Sequence, residues 1–235
     1  MSSKPVSNEI DREKEAAARA SLQYLNDGDV VGMGTGSTAA FMVRALAEKV
    51  RAGLKIVGIP TSKRTGELAA SLGISVTTLE EYQDINVTID GADEFDSKLR
   101  LIKGGGGALL REKIVASASR KLVIIADSSK QAQKLGKFPL PVEVIPFAEK
   151  LVAKKIAAMG AQVKLREYAY GNPFVTDEGH HILDCHFGEI DVPEKLGTEL
   201  SFMPGIVEHG LFLNMASVVV MGKGDSVVEL QRKQQ

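Results

Sequence analysis

Asp29-Val-Val-Gly-Met-Gly-Thr-Gly-Ser-Thr38 carries the chain from a short apolar strand, through a glycine-spaced turn, into a helix. The stripe Met42, Val43, Leu46 and Val50 has helical spacing and predicts a helix over Thr38–Ala52, with Gly53 as its C-terminal cap. The alternation spreads in both directions. A helix is expected from Asp11 to Leu25, with Gly28 as its stop. Strands are expected over Lys55–Ile59, Ser75–Leu79 and Ile85–Ile89, with Leu99–Ile102 extended and Leu122–Ala126 a buried apolar strand. Helices over Ser62–Leu72 and Ala108–Ser119 separate them. Strands alternating with helices predict an α/β fold: a mainly parallel, Rossmann-like sheet with helices on both faces. Ligands of such sheets sit beyond the carboxyl ends of the strands. Gly34–Thr38, Thr61–Ser62, Asp90–Asp93 and Asp127–Lys130 each follow a strand and are candidates for one shared crevice.

The pattern changes near Leu135, where Lys137-Phe-Pro-Leu-Pro141 forms a proline-rich joint. A strand (Val142–Ile145), a helix (Phe147–Met159), a strand (Gln162–Tyr168), a hairpin turning at Asp177–Gly179 and a helix (Pro193–Leu200) follow. That order predicts a smaller α+β domain with a split βαβ, ferredoxin-like core. The tail from Ile206 holds strand-like runs such as Val218–Met221 and is expected to return to the first domain. The expected division is therefore 1–135 with 206–235 against 136–205.

Among 235 residues, Lys plus Arg total 29 and Asp plus Glu total 30, so the net charge is -1. Such a balance gives no overall attraction to nucleic acid or anionic membrane, and any anion specificity must be local. A single cysteine, Cys185, forbids an internal disulfide and fits a reducing compartment. The polar residues Met1–Glu9 lack the apolar stretch of a secretory signal, and no apolar run approaches the roughly 20 residues that cross a bilayer. A cytoplasmic protein is expected.

Four segments bring chemistry. In Gly34–Thr38, glycines let the backbone approach a ligand, exposed N–H groups at the helix start favour an anion such as phosphate, and Thr35, Ser37 and Thr38 add hydroxyls. A tight structural turn fits the same residues. The turn is no P-loop, because no Gly-Lys-Ser/Thr ends it, and no dinucleotide fingerprint, because Ser37 stands where the third glycine belongs. Asp90-Gly-Ala-Asp-Glu94 offers carboxylates that can divide acid and base work, although Asp and Gly also serve ordinary turns. Lys103-Gly-Gly-Gly-Gly107 combines a positive charge with successive N–H groups suited to an oxyanion; a plain surface loop is the alternative. Glu112 falls on one helical side with Ala108, Leu109, Val115 and Ala116, where apolar neighbours would raise its pKa toward that of a general base. Position alone favours the plainer reading, a first-turn Glu favoured by the helix dipole or an i,i+4 partner of a basic residue. Lys14 and Lys130 could neutralise phosphate. His180, Asp184 and His186 on one strand face, with His181 and Cys185 on the other, read as an ordinary hairpin strand and not as a metal site.

Taken together, the segments resemble the ribose-5-phosphate isomerases of type A. The matching stretches are Val31–Ala39, Ile89–Glu94, Ile102–Ile114, Ile125–Lys130 and Leu135–Pro146, in the family's order. The resemblance implies a metal-free and cofactor-free isomerase that interconverts D-ribose 5-phosphate and D-ribulose 5-phosphate through an enediolate in the non-oxidative pentose phosphate pathway. It implies a homo-oligomer, a dimer or a tetramer, in which the smaller domain is expected to take part. It places the general base on Glu112, and sugar-phosphate contacts on Lys14, Thr35, Gly36, Ser37, Thr38, Asp90, Gly91, Ala92, Asp93, Lys103, Gly104, Gly105, Gly106 and Lys130. Asp90, with Asp93, is expected to help open the sugar ring, and Lys103 to stabilise charge. Two departures lie outside these positions: Gly107, where some relatives have alanine, and the basic pair Lys63-Arg64.

Overall fold

The computed structural model describes residues 6–168 and 171–232; the polar opening stretch Met1–Pro5 lies outside the described residues. The chain begins with α1 (Val6–Ser21), β1 (Val30–Met33), α2 (Ser37–Arg51), β2 (Val57–Pro60), α3 (Lys63–Ser71) and β3 (Ile85–Gly91). It continues through β4 (Glu94–Phe95), β5 (Leu101–Ile102), α4 (Leu109–Ser117), β6 (Ser119–Asp127), β7 (Leu140–Val144), α5 (Glu149–Ala158) and β8 (Gln162–Leu165). It closes with β9 (His181–His186), α6 (Pro193–Ser201), β10 (Ile206–His209), β11 (Leu211–Phe212), β12 (Val218–Lys223) and β13 (Ser226–Gln231).

These elements form two compact units. The first comprises residues 1–92, 111–131 and 215–235, and the second 93–110 and 132–214. This partition differs from the division drawn on sequence, because residues 93–110, 132–135 and 206–214 cluster with the second unit. The reason is pairing: β4, β5 and β11 make a small antiparallel sheet of their own.

The first unit is built on a six-stranded sheet in the order β13-β12-β6-β3-β1-β2, parallel except for the antiparallel edge strand β13. Strand alternation divides its two faces. Val31, Met33, Val87, Ile89, Val123, Ile125, Val218 and Val220 pack with Ala17, Ala18, Met42, Val43 and Leu46 from α1 and α2, and with Leu22 just after α1. On the opposite face Val30 and Ile59 pack with Val115 of α4, and Ile85, the first residue of β3, joins that cluster. Helices therefore cover both faces, as the alternating pattern predicts. The tail joins this sheet only from Met215, with β12 pairing parallel to β6 from Val218 to Gly222, while residues 206–214 stay with the second unit. The expected strand over Ser75–Leu79 reduces to one bridge, Val76 to Gly58 at the sheet edge. Its residues are largely hydroxylic, and Val76 is itself exposed, so little apolar burial rewards a longer pairing.

The second unit carries a four-stranded antiparallel sheet in the order β10-β7-β9-β8, the arrangement of a ferredoxin-like split βαβ. Leu140, Val142, Val144, Leu183 and Cys185 bury one face beneath Val152 and Ile156 of α5 and Leu200 of α6. Burial, with Asp184 beside it, pushes the Cys185 thiol up to about 12, which keeps it protonated and unreactive.

Gly32 sits where a side chain has no room. A Cβ there would lie 1.9 Å from Thr88 Oγ1 and 2.7 Å from Val115 Cγ1. Gly32→Ala is expected to destabilise the fold by about 1–3 kcal/mol through overpacking, read as a lower midpoint in thermal unfolding.

Candidate functional site

The turn after β1 is shaped by two neighbours. Gly36 has φ +119°, a backbone open to glycine, and stands as N-cap of α2 without a side-chain cap. The amides at this helix start therefore face outward. Beside them, Asp90 at the end of β3 accepts hydrogen bonds at Oδ1 from the Thr35 N–H (3.1 Å) and from its own neighbour Gly91 (2.7 Å). A Cβ on Gly34 would lie 2.1 Å from the same oxygen, so glycine is required for this approach.

The Thr35 hydroxyl is occupied inward. It lies 2.7 Å from Thr61 Oγ1 and 2.8 Å from Ser62 Oγ, and Thr65 Oγ1 donates to the Gly34 carbonyl at 3.0 Å. Ser62 also caps α3 by accepting from the Thr65 N–H at 3.1 Å. This hydroxyl cluster fastens the ends of β1 and β2 to the start of α3. Thr35 thus has both its hydroxyl and its N–H committed within the turn, while Ser37 is exposed. Gly36, Ser37, Arg44 and Arg64 contribute to the lining of a cavity of ≈ 390 Å³ between α2 and α3.

Helix α4 leads directly into β6, which is parallel to β3, so the helix runs antiparallel to the strands. Its first turn therefore lies at the carboxyl edge of the sheet. Val115 meets Gly32 of β1, and Glu112 lies one turn earlier, toward that edge. Asp90 alternates with Ile89 and shares the face covered by α4. Both acids are buried, Asp90 at 1% exposure and Glu112 at 2%, with Val115 and Ala116 buried alongside. Two enclosed carboxylates on one face of one edge can divide acid and base work.

Lys130 follows β6 at the same edge. Lys14 belongs there too, for a reason sequence reading missed. Its neighbour Glu13 accepts from the Ser128 N–H at 2.9 Å and from the Gly224 N–H at 2.6 Å, pinning α1 to the ends of β6 and β12. Burial would raise the Glu13 pKa, but the amides of Gly224 and Ser128 outweigh it and hold the carboxyl below its usual value. Lys14 itself pairs with Asp11 at 3.5 Å.

The second unit holds the glycine run. Lys103 is 2% exposed, lies over the Phe212 ring at 5.2 Å and donates its backbone N–H to Gly210. Asp93 Oδ2 accepts the Gly105 N–H at 2.7 Å, and the Gly107 N–H closes on the Gly104 carbonyl at 3.0 Å. Two of the expected oxyanion donors are thus committed to the loop itself, because each glycine N–H needs a partner for the loop to hold one shape. Gly106 is exposed. Gly91 and Ala92 are half-buried where the chain passes from the first unit to the second.

Two histidines pair with glutamates: His180 Nδ1 lies 3.0 Å from Glu143 Oε1, and His181 Nδ1 lies 2.6 Å from Glu149 Oε2. Glu143 is 1% exposed and also accepts from Thr176 Oγ1 at 2.9 Å. Burial raises its pKa, against the lowering effect of His180, Thr176 and the backbone of Leu110 in α4.

A parallel sheet whose carboxyl edge sets an amide-lined turn beside buried carboxylates defines an α/β enzyme handling a small anion. The family described as Ribose 5-phosphate isomerase A (phosphoriboisomerase A) matches residues 57–226. Ribose-5-phosphate isomerase A of Parvibaculum lavamentivorans is 53% identical over 227 residues, covering 93% of this chain and 98% of its own. That of Rhodopseudomonas palustris strain HaA2 is 50% identical, covering 96% and 99%. Among solved structures, ribose 5-phosphate isomerase from Plasmodium falciparum superposes with a TM-score of 0.92 at 37% identity, covering 96% of this chain and 100% of that one. A D-ribose-5-phosphate isomerase in complex with phospho-erythronic acid gives the same TM-score and identity, covering 95% and 99%. The chain belongs to the ribose 5-phosphate isomerase A family.

Because burial raises the folded-state pKa of Glu143, its charged form is disfavoured, and its contribution to stability falls as pH rises from the unfolded value of 4.5 through the folded one. Glu143→Gln removes that titration. The wild-type melting temperature minus that of the variant is expected to decrease as pH rises from 4.5 toward 7, measured by thermal melts across that range.

Proposed function

We propose that this chain interconverts D-ribose 5-phosphate and D-ribulose 5-phosphate, with Glu112 as the base that carries a proton between C1 and C2. The observation that supports this reading is the shared placement of Asp90 and Glu112. Both are buried on one sheet face, at the edge where the Gly34–Thr38 turn leads into α2. A carboxylate enclosed near apolar side chains is a stronger base than one in water, which suits removal of a weakly acidic carbon-bound proton.

In this reading the phosphate is anchored by the amides that follow Thr35 at the start of α2 and by Lys14 and Lys130, which fixes the reacting carbons. Asp90 and Asp93 assist proton movement as the sugar ring opens. Charge growing on O1 and O2 is met by Lys103 and by the N–H groups of Gly104 and Gly106. Only a few residues of chain separate that run from Glu112. The scheme uses protons and electrostatics alone.

The proposal extends to the setting of the reaction: the non-oxidative pentose phosphate pathway, in the cytoplasm, in a homo-oligomer. Phe147 at 99% exposure, Phe202 at 82% and Leu151 at 55% support a contact between copies through the second unit, since large apolar side chains left in water mark interaction surfaces. Phe147→Asp combined with Phe202→Asp is expected to shift the protein to a smaller species in sedimentation. A wild-type chain that already sediments as a monomer would remove the oligomer from the proposal.

The direct test is isomerisation of ribose 5-phosphate with chelator present and no cofactor added. Glu112→Gln should retain substrate binding while lowering kcat by about 10² or more, the scale of a lost general base. Near-wild-type turnover in that variant would refute the role of Glu112.

A further inference from the structure

Arg166 follows β8 in the second unit and has no part in the chemistry above. Its guanidinium is held by Asp184 of β9, with Nε 3.0 Å from Oδ2 and Nη2 2.5 Å from Oδ1. The remaining nitrogen, Nη1, donates to the carbonyl of Gly104 at 2.8 Å and to that of Gly105 at 3.3 Å. The guanidinium also stacks 5.8 Å from the Phe174 ring centroid. That ring occupies the space a Cβ of Gly107 would need, 2.2 Å from its Cζ. The glycine run is thereby gripped at three of its four residues.

A trans peptide points its C=O and its N–H in opposite directions. The peptide joining Gly104 to Gly105 is fixed at both ends: its carbonyl on Arg166 and its N–H on Asp93. The next peptide has its carbonyl on Arg166 as well, so the exposed Gly106 N–H is turned to the side away from the arginine. No hydrogen bond engages that N–H among the described residues.

We propose that Arg166, braced by Asp184, is a positioning residue that fixes the peptide planes of the glycine run and aims the Gly106 N–H at the oxyanion formed during isomerisation. The inference rests on the isomerase reading above and deepens it. A mobile four-glycine loop would sample many orientations. A donor held in place before the charge develops stabilises it without reorganising at the moment of reaction. Only a planar fork serves two carbonyls and a carboxylate at once; an ammonium is a single point of charge.

The test compares wild type, Arg166→Lys and Lys103→Met, each checked for folding by thermal unfolding. The lysine keeps the charge beside Asp184 but loses the fork. Arg166→Lys should lower kcat by about tenfold to a hundredfold, the lower range for a weakened oxyanion donor. KM should stay within about twofold, because phosphate is anchored at the start of α2 and not by the glycine run. Inhibition constants give a second readout. Phospho-erythronic acid has a carboxylate where the enediolate oxygens form, whereas inorganic phosphate has none. The variant should weaken the first in proportion to kcat/KM and leave the second unchanged. Unchanged kcat, or equal weakening of both inhibitors, overturns the proposal. Should Arg166→Lys unfold, Asp184→Asn, which loosens the same guanidinium from behind, must show the same split. If Lys103→Met keeps full activity, the loop is not the charge-stabilising site and the underlying reading fails. If Lys103→Met is crippled while Arg166→Lys is not, the positioning role alone fails.

Discussion

The Asp90 carboxylate, accepting the backbone N–H groups of Thr35 and Gly91, joins the ends of two adjacent parallel strands. Adjacent parallel strands tend to diverge once their ladder ends, because each leads into its own crossover. A single buried oxygen holding amides from both strand ends keeps the turn after β1 in one conformation. It also explains the glycine at position 34, where any side chain would collide with that oxygen. The hydroxyl cluster of Thr35, Thr61, Ser62 and Thr65 completes the same fastening toward β2 and α3. An anion site made of amides is useful only if the amides hold still, and these bonds are what hold them.

Elsewhere the same device recurs: acids serve backbone N–H groups before they serve any ligand. Glu13 holds the ends of β6 and β12, Asp93 holds Gly105, and Glu94 accepts from Gly136 at 2.7 Å. A buried carboxylate with amide partners resists protonation, as the lowered pKa of Glu13 shows. Glu143 has hydroxyl and imidazole partners and the backbone of Leu110, and there desolvation prevails over all of them.

Much of this was legible in the chain. The spacing of Met42, Val43, Leu46 and Val50 marked α2, and the apolar run before Asp127 marked β6, since periodicity is a local property. The family's five motifs carried Asp90, Lys103 and Glu112 together. Glu13, Glu143 and Arg166 gave no such signal. Each looks like a common charged residue until distant segments arrive against it. Gln162–Leu165 and the residues after it read simply as strand, and nothing local showed that Arg166 would reach a loop about 60 residues earlier. Likewise residues 93–110 joined the second unit because β5 pairs with β11, a partner more than a hundred residues away.

The sequence by itself determined the strand–helix alternation, the parallel sheet, the small antiparallel unit and the residue types that can bind an anion and move a proton. These follow from side-chain period and backbone permissiveness, which act over a few residues. Tertiary structure alone decided which N–H groups are committed and which face outward, and which acids are buried on a common sheet face. It also decided which arginine braces the glycine run. Those outcomes depend on hydrogen bonds between segments far apart in the chain, whose partners are chosen only when the sheets form.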